Sequence, residues 1–263
     1  EAHCAHEDEK SAMKQVHEDM ETTKEVLHDI YGLPFMFFER PQWDKFHGAK
    51  STFAADVLNP DGKVVQQPST HLLDKQFAKA FNVKFKDKDG KEKYAEITCY
   101  GPAISRNFAS VIAIHGDEKG LRFPWSIAPI NVIIIPIGED EKTKKKAHEL
   151  KEMLQKNEID TWIDESESRP GEKFYFWEMK GVPLRIELGK KEIENKELTI
   201  YRRDTESKEK IKEKDLLQYI EKTSKEIDKS LIKQADKLFE NNITNAKTKE
   251  EIKKIIKAGK IAR

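Results

Sequence analysis

The sequence predicts an α+β chain: an antiparallel sheet flanked by helices, then an α/β domain with a mostly parallel sheet. Three observations carry this. Before about residue 128, short strand-like runs are separated by Asn59-Pro60-Asp61-Gly62 and Asp87-Lys88-Asp89-Gly90, which read as hairpin turns. Beyond it, residues 131–137 form a continuous apolar run, the pattern of a strand buried on both faces. Strand and helix patterns then alternate, which places helices on the faces of a sheet.

Taken in order, residues 1–5 read as a short strand and 7–31 as a helix. Met13, Val16, Met20, Val26, Leu27 and Ile30 make the helix's apolar stripe, and Gly32-Leu33-Pro34 stops it. Residues 35–38 are a short strand, 52–58 and 63–67 a hairpin, 72–81 a short helix, and 83–85 with 94–99 a second hairpin. After the break come strand 131–137, amphipathic helix 139–157, strand 159–163, helix 171–180 and strands 182–188 and 197–201. Helix 212–241 carries Leu216, Ile220, Ile227, Leu231 and Leu238 in phase. The expected domains are 1–128 and 129–241, with 242–263 the start of a further, truncated domain.

The chain has 263 residues, with 48 Lys+Arg against 48 Asp+Glu. That length suits two domains. A net charge of zero excludes a global basic field, so contact with a polyanion would need a local patch. Two cysteines give no disulfide framework and fit a reducing compartment. No apolar run reaches the roughly 18–20 residues that cross a bilayer. A cytoplasmic protein without membrane contact is expected. A start at Glu1 and a stop just after a helical stretch both read as cuts through a longer polypeptide.

The chemistry concentrates in residues 98–121, TCYGPAISRNFASVIAIHGDEKGL. The apolar positions after Arg106 recur at spacings of three and four, predicting a buried helix. An arginine at its start, beside the Gly101-Pro102 turn, can aim a guanidinium into a cleft. Its planar fork suits phosphate and never loses charge. The alternative is a structural arginine capping the helix. At the N-terminus, His3, Cys4 and His6 are zinc-type donors. However, no fourth partner lies at a plausible spacing, and His3 and Cys4 point to opposite faces of a strand.

The run CYG…SR…ASVIAIHGDEKGL, with Phe123-Pro124 and IAPINVIIIPIG after it, resembles motif 3 of a class II prolyl-tRNA synthetase of archaeal/eukaryotic type leading into its anticodon-binding domain. EAHCAH, WDKFHGA, QQPSTH with QFAKAF, RPGEKFYFWEMKGVPLRIELG and YRRDT extend the resemblance from residue 1 to about 222. It implies the C-terminal part of the catalytic domain, with motif 1 and most of motif 2 absent. The implied reaction is ATP-dependent activation of proline and its transfer to tRNA(Pro), with Mg²⁺ bound through ATP and a homodimer in the full-length enzyme. Such enzymes use one arginine from each of motifs 2 and 3, so this chain alone is not expected to make prolyl-adenylate.

Carried over residue by residue, the resemblance makes Arg106 catalytic and Gln66, Ser69, Ser105 and Arg106 ATP-binding, with Gln66 also touching the Mg²⁺ on ATP. Glu1, His3, Phe46 and His71 fall to proline. Arg169, Lys173, Glu178, Arg202 and Arg203 fall to the tRNA anticodon, since basic, aromatic and carboxylate groups at a helix start can stack on and read unpaired bases. In another arrangement, Phe174 and Trp177 simply pack that helix onto the sheet. Runs 142–146 and 208–214 read as solvated helix faces.

The sequence also departs from the family. Gln67 and Asp74 stand where small residues and glycine are usual, threatening to crowd the site or lose a tight turn. Arg106 follows Gly101 by five positions instead of four, and Trp125 replaces a second proline. These changes leave room for a non-catalytic paralogue or accessory tRNA-binding protein. A threonyl- or glycyl-specific relative is disfavoured by the Phe46 segment and by KGVPLRIELG with RRDT.

Overall fold

The computed structural model describes residues 1–138 and 140–263, in two compact units. The first comprises residues 1–29, 33–113 and 236–263, the second 30–32 and 114–235. The division thus falls at Ala113/Ile114 instead of the expected residue 128, and the C-terminal stretch belongs to the first unit.

The first unit opens with β1 (Ala2–His6) and α1 (Glu9–Lys24). Asp8 caps α1 by accepting from the Ser11 amide at 2.8 Å, a bond worth about 1 kcal/mol. The helix buries Ala12, Val16 and Thr23 and runs on as a wider π turn over Glu25–Ile30. β2 (Met36–Glu39), β3 (Ser51–Leu58) and β4 (Val64–Leu73) follow. Then come α2 (Asp74–Ala80), β5 (Lys84–Lys86), β6 (Glu92–Tyr94), β7 (Glu96–Gly101) and α3 (Ile104–His115). The main sheet is antiparallel in the order β1-β7-β4-β3-β2, and β5 pairs with β6 apart from it. β4 is longer than the expected arm 63–67, so the whole QQPSTH segment is strand.

The second unit is built on β8 (Val132–Pro136), α4 (Glu141–Lys156), β9 (Thr161–Ile163), α5 (Pro170–Met179) and β10 (Leu184–Leu188). α6 (Lys190–Asn195), β11 (Glu197–Arg202), β12 (Ser207–Lys212) and the start of α7 (Leu216–Asn241) complete it. The expected helix start at Glu139 lies outside the described residues. The sheet runs β12-β11-β10-β8-β9; β8 is parallel to β9 and β10, while β11 and β12 add antiparallel. Val132, Ile134, Leu184, Ile186, Leu198 and Ile200 meet Ala147, Leu150, Leu154, Leu216, Ile220, Ile227 and Leu231 in one core. Full burial of each large aliphatic contributes about 1.5–3 kcal/mol.

β12 corrects the expectation of a helix face over 208–214. SKEKIK is an exposed strand at the sheet edge, where lysines discourage further pairing. Back in the first unit, β13 (Ile243–Thr244), α8 (Lys249–Lys257) and β14 (Ile261–Ala262) close the chain. Among the described residues no helix is long and apolar enough to cross a membrane.

Candidate functional site

Antiparallel register sets the floor of the site. His3 on β1 faces Cys99 on β7, Cys99 faces His71 on β4, and His71 faces Thr52 on β3. Directly opposed residues share a face of the sheet. A row of four side chains therefore crosses four strands, and all four line a cavity of about 990 Å³. The same cavity takes Glu1, Phe46, Gln66, Ser69, Ser105 and Arg106. Every catalytic, ATP and proline candidate thus opens onto a single space, although they come from stretches of sequence far apart.

His71 is held on both sides. Its Nδ1 lies 2.9 Å from Thr52 Oγ1 and its Nε2 3.1 Å from Ser69 Oγ. Burial pulls its pKa below the usual histidine value, so it is neutral at pH 7, with one nitrogen donating and the other accepting. Because both nitrogens are engaged, His71 offers its ring, not a hydrogen bond, to anything in the cavity. The Phe46 ring stands 5.1 Å from it and 6.3 Å from Phe77. The Phe46 amide donates to Thr52 Oγ1 at 3.0 Å, tying this aromatic wall to the polar row.

The feared crowding by Gln67 does not occur. Its side chain is fully buried away from the cavity, with Nε2 donating to Ser110 Oγ of α3 at 2.8 Å. Asp74 takes a left-handed φ of 58°, so the turn survives there at the cost that any residue with a Cβ pays in that region. Burial and the facing Asp74 hold the Glu96 carboxyl above its ordinary range, while Lys75 at 3.1 Å acts against them. Ala103 is also left-handed, at φ 52°, and its carbonyl accepts from the Arg106 and Asn107 amides at 3.0 Å. The turn at Pro102–Ala103 absorbs the longer Gly101–Arg106 spacing, and Ser105 and Arg106 still line the cavity, both exposed.

α3 hides only part of its body. Val111 and Ile114 are buried, but Ile104, Phe108 and Ile112 form a solvent-facing stripe, exposed by 74 %, 55 % and 37 %. The apolar period gives the helix correctly, yet it cannot tell which apolar residues find a partner.

The anticodon candidates in the second unit are dispersed by their partners. Arg169 is exposed at the start of α5, where its amide donates to Glu172 Oε2 at 3.1 Å. Lys173 is buried instead, its Nζ donating to the Asp164 carbonyl at 3.0 Å. Arg203 is 1 % exposed; it donates to both Asp117 carboxylate oxygens, at 2.7 and 2.5 Å, and to the Glu178 carbonyl at 3.1 Å. These bonds hold the Asp117 carboxyl below the usual range. Arg202 is paired with Asp204 and, at 2.8 Å, with Glu226. Lys173 and Arg203 are therefore parts of the scaffold, not open to a base.

Sequence reasoning missed the centre of this cluster, Arg185. It is buried and donates to Glu178 at 2.8 Å and to Glu187 at 3.1 and 3.0 Å. Its guanidinium lies between the Phe174 and Tyr201 rings, 4.1 and 4.2 Å from their centroids. The available signal was Arg185 and Glu187 two apart on one face of an otherwise apolar strand. Phe174 and Trp177 both pack onto Ile133, Ile135 and Val182. On α5 the aromatics left facing solvent are Tyr175 and Phe176, exposed by 72 % and 46 %.

A family model for the anticodon binding domain matches residues 131–223. The proline–tRNA ligase of Thermofilum pendens is 44 % identical over 100 % of this chain and 56 % of its own length. That of Methanocaldococcus jannaschii is 43 % identical over 97 % of this chain and 57 % of its own. The crystal structure of prolyl-tRNA synthetase from Cryptosporidium parvum, complexed with L-proline and AMP, superimposes with a TM-score of 0.93 at 31 % identity. It covers 99 % of this chain, which spans 57 % of that one. The chain thus spans little more than half the length of these relatives, and over that span it is similar to prolyl-tRNA synthetases.

Proposed function

We propose that the chain takes part in the ATP-dependent joining of proline to tRNA(Pro), as a portion of a proline–tRNA ligase. The observation that supports this most directly is the content of one cavity: a carboxylate and an aromatic wall together with hydroxyl, amide and guanidinium groups. Because the chain spans only 53–57 % of its relatives, the complete reaction is proposed for the longer enzyme.

In activation, a proline carboxylate oxygen bonds to the α-phosphorus of ATP, the bond to the bridging oxygen breaks, and pyrophosphate leaves. Arg106 donates in pairs to the phosphate and stabilises its growing charge. Gln66, Ser69 and Ser105 hold the nucleotide. Glu1, with His3 beside it, pairs with the charged secondary amine of proline. Phe46 and the neutral His71 ring flank the pyrrolidine, which asks for apolar contact and no hydrogen bond.

The donor set suits Mg²⁺ only as an ion carried by ATP. Glu1 and Asp44 are the carboxylates lining the cavity among the described residues, and Asp44 lies 3.7 Å from Arg40; Mg²⁺ is otherwise held by carboxylates and phosphates. Gln66 would touch it through its amide oxygen, and the ion would neutralise phosphate charge. In the second unit, exposed Arg169 with Tyr175 and Phe176 would meet anticodon bases, while Lys173, Glu178, Arg202 and Arg203 hold the surface that presents them. On this reading the enzyme is cytoplasmic and, at full length, a homodimer.

Calorimetric binding of a non-hydrolysable prolyl-adenylate analogue to this chain, against its alanyl counterpart, tests the reading. The prolyl analogue should bind at least tenfold tighter. Arg106→Ala should weaken both by about tenfold or more, since hydrogen bonds to charged groups contribute about 1.5–3 kcal/mol. Phe46→Ala should shrink the difference between them. Equal affinity for the two analogues would remove proline from the proposal.

A further inference from the structure

The cavity floor also holds a group of metal-type donors. The Glu1 carboxylate, a His3 ring nitrogen and Cys99 Sγ all lie within 4.8 Å of one another. His3 and Cys99 are directly opposed on β1 and β7, so the sheet itself sets their separation. Cys99 is buried, whereas His3 and Glu1 are exposed and can adjust their rotamers. A tetrahedral zinc site brings its ligand atoms to within roughly 3.5 Å of each other, an adjustment within reach of two exposed side chains. Carboxylate, imidazole and thiolate together match zinc, and thiolate excludes Mg²⁺ and Ca²⁺ as preferred occupants.

We propose that Glu1, His3 and Cys99 form a three-ligand site for a thiophilic divalent cation, Zn²⁺ or Cd²⁺, with the fourth position open to the cavity. The grouping differs from the one the N-terminal string suggests on its own. Cys4 follows His3 on the strand and so faces the other side, and His6 lies 3.3 Å from Thr98 Oγ1. His71, next along the row, is excluded because Thr52 and Ser69 engage both its nitrogens. Burial and the nearby Glu1 carboxylate raise the Cys99 pKa. The thiol is therefore protonated without metal, and binding displaces that proton to solvent. Metal on Glu1 and His3 would occupy the groups proposed to pair with the proline amine, so metal and proline would exclude one another.

The test is titration of the chain with Cd²⁺, following the ultraviolet thiolate-to-cadmium charge-transfer band. One Cd²⁺ per chain should give the band, and Cys4→Ser should leave it intact. Cys99→Ser should abolish it. Because that buried position could disturb folding, His3→Gln, at an exposed position, serves as the second variant and should weaken binding at least tenfold. Competition with Zn²⁺ should erase the band. Absence of the band in the unaltered chain, its loss with Cys4→Ser, or unchanged affinity in His3→Gln would each overturn the site.

Discussion

Replacing Arg185 by alanine should unfold the second unit far more readily, and the size of the effect follows from its surroundings. Arg185 is 4 % exposed, and its side chain satisfies Glu178 and Glu187, both themselves largely buried. Truncation leaves the Glu178 carboxylate without the donor at 2.8 Å, while Glu187 keeps Lys208 at 2.8 Å. Removing one member of a buried ion pair costs about 3–5 kcal/mol, because the other charge stays desolvated. Lost stacking on Phe174 and Tyr201 is not independent of this and should not be added in full. Arg185→Lys keeps a charge but forfeits the fork and the stack, for a smaller loss of about 1–2 kcal/mol. Urea denaturation followed by tryptophan fluorescence reads this unit, which holds Trp125, Trp162 and Trp177, whereas Trp43 is already 88 % exposed. With a slope near 2 kcal/mol per molar urea, Arg185→Ala should lower the midpoint by about 1.5–2.5 M. A shift under about 0.5 M would refute the argument that this buried pair is held by mutual dependence.

Two further outcomes follow from particular groups. Burial works against charge on His28, but Asp29 and Asp236, at 2.7 and 3.1 Å, outweigh it and raise its pKa above 6.5. The folded state then binds its proton more tightly, so the stabilisation is complete below pH 6.5 and lost as pH rises through the folded value. His28→Gln should therefore lower the melting temperature at pH 6 and leave it nearly unchanged at pH 8.5; an equal loss at both would sink the ion-pair account. Gly181→Ala and Gly90→Ala both place a Cβ at positive φ, 76° and 75°. At Gly90 nothing lies within 4 Å, whereas at Gly181 the Cβ would sit 2.8 Å from the Leu121 carbonyl carbon. Gly90→Ala should cost roughly 1 kcal/mol and Gly181→Ala clearly more in urea denaturation, with equal costs counting against the close approach.

How much was legible in the sequence depended on where each residue's partner sits. The continuous run at β8, the hairpins and the helix ended by Gly181 follow from local pattern and turn chemistry, which the chain carries within a few residues. The wide turn over Glu25–Ile30 leaves no such mark, because its apolar stripe matches that of α1. β12 was hidden for the opposite reason: an exposed edge strand with Ile211 as its single apolar residue has no alternation to read. The gathering of the cavity residues came through the family resemblance, and the sheet register then gave it a geometric cause. Arg203 looked like a free cation because its partner Asp117 lies 86 residues away, and Lys173 because nothing in the string shows Asp164, nine residues earlier, folding back onto it. A charged residue's burial is a property of the fold and not of its own string.

The left-handed turn at Ala103 bears on how such sequences should be aligned. α3 fixes Arg106 nine residues ahead of His115, and its register cannot change without moving Val111 and Ile114 out of the interior. The link from Gly101 has no such constraint and takes up an added residue by one change of backbone hand. Counting backward from the helix therefore locates Arg106, the arginine proposed to bind phosphate, whereas counting four forward from the glycine lands on Ser105. A change in the length of this link therefore need not move α3 or the arginine at its start.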